Sequence, residues 1–307
     1  MLRQLRQNIL QALWTSYSLS SKDMQRITSA FKQKNISDFI LDHFAIIDLP
    51  SPHSGISTLR HIFSQLGYRE RGSDYLADKQ NDFLWMAEID CEHQPATTVL
   101  PQVVLADFRL DEMPATIRHI IYQYAKQTSK TAANDILASI KQVAEGDEHA
   151  LIPCTHKMVN YFSGRDWRLP TVNEFNTVRE FNELLAWVLV FGRKPNHFTL
   201  SIHLLNPFSH LADFHDFIER DVKLTLNQEG GVIKGGEKSG MAQSSTKGMP
   251  ERIQLADGEI TIPTGFVEFV WRYAKDAANQ HPVKWNEYFN DFIAKHADRV
   301  IESLYES

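Results

Sequence analysis

The sequence is poor in several features that would place it in a functional class at once. It has two cysteines, Cys91 and Cys154, and neither has a CxxC partner, so we expect free thiols in the reducing cytoplasm. It has no block of basic residues and a formal net charge of -6, which argues against nucleic acid as a partner. No apolar run approaches the roughly 20 residues that cross a bilayer, and no signal peptide is recognisable. We therefore expect neither membrane nor nucleic-acid contacts.

The order of the apolar patterns predicts a repeated unit. After a helical segment over residues 1–41, a strand (42–50), a helix (55–67) and three short strands reach residue 110. Helical patterns then interrupt this order of elements, and they include one long helix over 172–192. The same order restarts with a strand (196–205), followed by a helix and further strands. Two such copies predict paired βαβββ modules whose sheets curl around one shared cavity.

The predicted fold class is therefore α+β. Two closing segments are predicted to be helices that cover an outer face. They are FVWRYAKDAAN (269–279) and WNEYFNDFIAKHADRVIESLY (285–305). We expect a single domain with five parts: N-terminal helices (1–41), a first module (42–110), a helical insertion (111–192), a second module (193–273) and C-terminal helices (274–307).

Both modules begin with a polar residue followed by His-Phe, in DHF (42–44) and NHF (196–198). Because side chains alternate across a strand, His43 shares a face with Ile47, and His197 lies on a polar face whose reverse side is apolar. Each histidine taken alone would more often be a hydrogen-bonded core residue than a metal ligand. Its recurrence at equivalent points of two modules favours a shared role.

The last predicted strand places Glu268 among apolar neighbours. A lone carboxylate there is costly to bury unless it is paired or bound to a metal, although a surface charge on an edge strand is the alternative. Two imidazoles and one carboxylate form a facial triad that suits Fe(II) and can also hold zinc. We therefore predict that His43, His197 and Glu268 bind one ion. His203 lies roughly 20 Å from His197 along an extended strand and cannot join them.

Six segments of the sequence carry a family resemblance: DHFAIIDL (42–49), DWRLPTVNEF (166–175), LLAWVLVFGRKPNHFTLSIH (184–203), LNQEGGVIKGG (226–236), QSST (243–246) and GFVEFVWRY (265–273). In these segments the sequence resembles the 2-oxoadipate dioxygenase/decarboxylase family, a branch of the vicinal oxygen chelate superfamily. The resemblance implies a curved sheet of paired βαβββ modules around a metal held by His43, His197 and Glu268. It also implies Fe(II) as the cofactor, with a small 2-oxo acid and dioxygen as the molecules that react there.

The resemblance also bears on substrate contacts. It implies that Gln243 and Ser245 face the substrate, the alternative being a plain polar turn. The family usually has an arginine four residues after its first metal histidine, where it binds the substrate carboxylate. This sequence has Ile47 there, which cannot form the paired hydrogen bonds of an arginine. Lys234 and Arg272 are candidates to replace it, the alternative being ordinary solvated charges.

Two other functions stay open at this point. A zinc- or nickel-dependent hydrolase or isomerase could use the same fold and ligands. A non-catalytic protein that binds small molecules could retain the cavity without the reaction, and the isoleucine at position 47 keeps this alternative open.

Overall fold

A computed structural model of the protein describes residues 1–36, 39–279 and 281–305. The helices are α1 (Leu2–Ser20), α2 (Lys22–Gln33), α3 (Ile56–Gln65), α4 (Ala115–Ala125), α5 (Ala132–Ala144), α6 (Leu151–Tyr161), α7 (Val172–Phe181), α8 (Glu183–Phe191), α9 (Leu211–Phe217) and α10 (Ala294–Ile301). The strands are β1 (Leu41–Ile47), β2 (Tyr68–Leu76), β3 (Asn81–Glu88), β4 (Gln102–Phe108), β5 (His197–Ser201), β6 (Lys234–Gly236), β7 (Met241–Ser245), β8 (Pro250–Gln254), β9 (Glu259–Pro263) and β10 (Phe266–Arg272). Within these ranges, none of the helices combines the length and the apolar character needed to cross a bilayer.

Eight strands form one curved sheet in the order β2-β3-β4-β1-β5-β10-β7-β6. In each module the first strand pairs in parallel with the last one, β1 with β4 and β5 with β10, and the remaining pairs are antiparallel. The modules join through the antiparallel pair of β1 and β5, so the two expected sheets are one continuous sheet. The predicted pairing of βαβββ modules is confirmed. The second module also carries an inserted hairpin, β8–β9.

Alternation along β1 separates two packed layers. Phe44 and Ile46 belong to a core that also contains Leu5 of α1 and Phe198 of β5. Ile47 belongs to a second core, on the other side of the sheet, together with residues of α8 and α10. We call the side that carries His43 and Ile47 the site face and the other side the opposite face. The apolar side predicted for β5 packs on the opposite face, beneath the N-terminal helices.

The C-terminal segments differ from the prediction. FVWRYAKDAAN (269–279) is not a helix, because its first four residues belong to β10, which is hydrogen-bonded between β5 and β7. In the second segment (285–305) an α-helix forms only over Ala294–Ile301. The long helix predicted over 172–192 is two helices, since Asn182 ends α7 and caps α8 by accepting a hydrogen bond from Leu185 N. The assignment of the whole chain to one domain stays a prediction.

Candidate metal centre

His43, His197 and Glu268 come together on the site face from three strands that are neighbours in the sheet. His43 in β1 is opposite Thr199 in β5, and Thr199 is opposite Glu268 in β10. Directly opposite residues share a face, and His197 lies two residues before Thr199 on the same face of β5, so the three candidate ligands lie side by side. Their candidate ligand atoms all lie within 4.8 Å of one another, and all three residues are buried. Glu268 Oε2 lies 3.4 Å from His43 Nε2 and 3.2 Å from His197 Nε2.

The residue before each histidine orients its ring. His43 Nδ1 donates to Asp42 Oδ1 at 2.7 Å, and His197 Nδ1 donates to Asn196 Oδ1 at 2.6 Å. A proton on Nδ1 leaves the lone pair of Nε2 free to face the site, as metal-binding histidines usually require. The polar residue in each DHF or NHF pattern thus has a function that the sequence alone had not assigned.

The carboxylate is oriented from two sides. Thr199 Oγ1 donates to Glu268 Oε2 at 3.0 Å, and Gln243 Nε2 donates to Glu268 Oε1 at 2.5 Å. Two aromatic rings restrict the histidines: Phe292 meets His43 edge-on, and Phe266 stacks on His197, each with ring centroids 4.7 Å apart.

Burial and charge act in opposite directions on these groups. Burial lowers the pKa of His197 to about 4, so its ring is neutral. Burial also lowers the pKa of His43, but Glu268 and Asp42 outweigh it and the pKa lies above its ordinary value. Burial raises the pKa of Glu268, but the charge and hydrogen bond of His43 and the hydrogen bond from Gln243 outweigh it, so the pKa lies below its ordinary value and the carboxyl stays ionised. The net result is a buried position that favours positive charge.

The donor set fits a divalent metal ion. Ligand bonds of about 2.0–2.2 Å set at right angles place neighbouring ligand atoms about 3 Å apart. The two distances of 3.2 and 3.4 Å between nitrogen and oxygen are close to this value. His43, His197 and Glu268 would hold such an ion with two nitrogens and one oxygen.

The candidate ligands lie at one end of a cavity that opens to solvent and encloses about 560 Å³ of space, the solvent-open part included. Ile47 lines this cavity beyond His43, as predicted from its position on the strand.

The match to a family agrees with this geometry. A model of the family described as 2-oxoadipate dioxygenase/decarboxylase matches residues 8–300. The chain belongs to this family. The 2-oxoadipate dioxygenase/decarboxylase of Oryza sativa subsp. japonica, named as chloroplastic/amyloplastic, is 27% identical over 271 residues, which cover 85% of this chain and 68% of the relative.

Two solved structures share the fold. The hydroxyglutarate synthase from Oryza sativa, crystallised with 2-oxoadipate, has a TM-score of 0.78 at 24% identity and covers 99% of this chain and 93% of its own. A protein from Ralstonia eutropha JMP134 is named as a member of the glyoxalase superfamily. It has a TM-score of 0.72 at 15% identity, and the match covers 88% of this chain and 82% of that protein. Both likenesses confirm a fold of the vicinal oxygen chelate type.

The residues predicted to contact substrate in this 2-oxoadipate dioxygenase/decarboxylase family member are not all at the cavity. Gln243 lines it, and its Oε1 is buried without a hydrogen-bond partner among the described residues. Ser245 instead shares a hydrogen bond of 2.8 Å with Ser303 Oγ. Gln243 is therefore placed to contact both Glu268 and a ligand, whereas Ser245 ties β7 to the C-terminal segment.

Neither cation that was predicted to replace the arginine lines the cavity. Arg272 binds Asp42 with Nε and Nη2 and donates with Nη1 to two backbone carbonyl oxygens. Lys234 Nζ donates to Asn227 O at 3.0 Å, and burial lowers its pKa. Both side chains are buried, so neither is an ordinary solvated charge. The sequence could not show the pairing of Arg272 with Asp42, because the two residues are 230 positions apart.

Proposed function

We propose that this protein is an Fe(II)-dependent dioxygenase/decarboxylase of a small 2-oxo acid. The convergence of His43, His197 and Glu268 at the end of a largely apolar cavity is the observation that supports this most directly. Membership of the family agrees with it. A cytoplasmic location stays a prediction that rests on the two free, buried cysteines.

The proposed reaction balances without a further reductant. The bond between C1 and C2 of the 2-oxo acid breaks, and C1 leaves as carbon dioxide. One oxygen atom of dioxygen enters the new carboxylate at the former C2, and the other replaces a hydrogen on the former C3 as a hydroxyl group. The product is a 2-hydroxy acid with one carbon fewer than the substrate.

An Fe(II) ion held by the triad would supply the oxygen chemistry and polarise the oxo acid. The chain itself does the positioning: Asp42 and Asn196 fix the two imidazoles, and Gln243 fixes Glu268. The apolar walls would limit the access of water to the reacting atoms, which disfavours side reactions.

The direct test is consumption of dioxygen and release of carbon dioxide over a panel of 2-oxo acids, using protein loaded with Fe(II). We expect coupled turnover by the parent protein and none by His43→Ala. His215→Ala is the matched control, since His215 is also buried but lies on α9, where its Nε2 is 2.6 Å from Ser244 Oγ. This control should keep turnover.

The competing functions give different results in the same preparation. The protein is purified without added metal. If it then contains zinc or nickel and hydrolyses or isomerises substrates, the metal-dependent hydrolase or isomerase is favoured. Equal affinity for 2-oxo acids with and without metal would favour the non-catalytic binding protein.

A further inference from the structure

The cavity beside the candidate ligands has two chemically different ends. One end carries His43, His197, Glu268, Gln243 and Asn196. Along the rest of the cavity the lining side chains are apolar, with Asn81 as the exception, and the Asn81 amide nitrogen already donates to Asp107 O at 2.7 Å. A ligand that binds the metal with one end must place its other end among apolar groups.

The apolar wall follows from the strand register of the first module. Ile47 in β1 is opposite Ala106 in β4, and Ala106 is opposite Phe83 in β3. All three residues line the cavity, together with Val104. The wall is thus a continuous apolar surface across three strands, and each of its side chains is held in place by the sheet.

Helix α10 completes this wall. It presents Ala297, Val300 and Ile301 to the cavity. Its basic residue Arg299 does not line the cavity: the side chain lies against Gly230, with Cδ 3.1 Å from where a Cβ of residue 230 would stand. The helix therefore contributes only aliphatic groups to the cavity.

Over the described parts of the chain, no lysine or arginine lines this cavity. Lys79 lies close in sequence to the lining residues Leu76 and Asn81, but its ammonium pairs with Asp298 at 2.9 Å and faces the Tyr305 ring. Arg272 and Lys234 are held by the contacts described above. A second carboxylate on the ligand would find no free cation.

We propose that the 2-oxo acid bound here carries an apolar aliphatic side chain and not a second carboxylate; this inference rests on the proposed function. A carboxylate moved from water into an apolar wall without a partner is strongly disfavoured, whereas a methyl group gains from leaving water. With 2-oxohexanoate as substrate, the balanced reaction consumes one dioxygen and gives carbon dioxide and 2-hydroxypentanoate.

The test compares two acids that differ only at the far end, 2-oxohexanoate with a methyl group and 2-oxoadipate with a carboxylate. Binding is measured by calorimetry on Fe(II)-loaded protein without dioxygen, so that the result does not depend on turnover. We expect 2-oxohexanoate to bind about 100-fold more tightly, because only the dicarboxylate buries an unpaired charge. Equal binding, or tighter binding of 2-oxoadipate, would overturn the inference.

Variants at two positions sharpen the comparison. Ile47→Arg places a guanidinium in the wall and should shift the preference toward 2-oxoadipate by at least about 10-fold, whereas Ile47→Met should leave the preference unchanged. Lys79→Met should also leave it unchanged. If Lys79 does bind a second carboxylate, the parent will prefer 2-oxoadipate and Lys79→Met will lose that preference. If Ile47→Arg does not fold, the affinities of the parent protein for the two acids still test the inference.

Failure of the inference can be told apart from failure of the proposed function. A preference for 2-oxoadipate, with oxygen consumption intact, overturns the side-chain inference alone. Binding of neither acid to the metal-loaded protein overturns both.

Discussion

Arg272 holds both carboxylate oxygens of Asp42, with Nε 2.7 Å from Oδ2 and Nη2 2.8 Å from Oδ1. Asp42 Oδ1 also accepts the hydrogen bond from His43 Nδ1. The pKa of Asp42 lies well below its usual range, because the Arg272 and His43 charges outweigh the effect of burial. We therefore expect the arginine to act on the candidate metal site through Asp42 and His43, as a positioning residue.

Arg272→Leu should lower metal affinity about 10–100-fold, the usual effect of losing a residue that orients a metal-binding histidine. It should also destabilise the fold by about 3–5 kcal/mol, since Asp42 stays buried without its partner. Metal titration and urea unfolding measure the two effects. In a double-mutant cycle with Asp42→Asn, the two changes should be far from additive. Additive losses would show that Arg272 does not act through Asp42.

Gln243→Leu should weaken metal binding about 10-fold, because it removes the donor that fixes the outer oxygen of Glu268. Leucine keeps most of the volume, so the fold should be little affected. Ser244→Ala is the matched control, since this neighbouring residue points to the opposite face and contacts His215. Equal metal affinities for the two variants would contradict the role of Gln243.

The part of the site that could be predicted from sequence is the part that strand alternation governs. Strand alternation predicted that His43 and Ile47 share one face and that Glu268 is a carboxylate among apolar neighbours. All three residues line the same cavity. The repeated pattern also predicted two modules around one cavity, but not that their sheets join through β1 and β5. Such features depend on neighbours along one strand, which the sequence shows directly.

The features that could not be predicted depend on contacts between distant segments. Arg272 pairs with Asp42, 230 positions away, so neither periodicity nor spacing indicates the pair. The segment over 269–272 belongs both to the last predicted strand and to a predicted closing helix, and hydrogen bonding to strands on both sides decides for the strand. The contribution of α10 to the cavity likewise depends on where the last helix docks.

Asp107 gives a prediction about pH and stability. Its carboxylate accepts a hydrogen bond from Ile56 N, but burial, aided by Asp82 and Asp48, raises its pKa from 3.8 to about 6. Between these two values the folded state holds a proton that the unfolded state has released. Stability is therefore lost as pH rises through this window, and the loss is complete above about pH 6.

Asp107→Asn should remove that loss, because the amide stays neutral and its oxygen can still accept from Ile56. The free energy of unfolding of the variant, relative to the parent, should rise by about 1–3 kcal/mol between pH 4 and pH 7. Urea unfolding across this range measures it. A difference that stays flat with pH would show that the carboxyl of the parent does not titrate in this window.

Tyr17→Phe tests how the N-terminal helix supports the site. The Tyr17 hydroxyl, buried on α1, donates to the backbone oxygen of Phe266, the first residue of β10, whose ring stacks on His197. Phenylalanine leaves that carbonyl without its donor, so the free energy of unfolding should fall by about 1–3 kcal/mol. Tyr75→Phe is the control: its exposed hydroxyl contacts Glu112, and its loss should change stability by less than about 0.5 kcal/mol. Metal affinity should change less than about threefold in both variants, because neither removes a group that contacts a candidate ligand. A large loss of metal affinity in Tyr17→Phe alone would show that β10 is held in register by α1 and not by its own hydrogen bonds to β5 and β7.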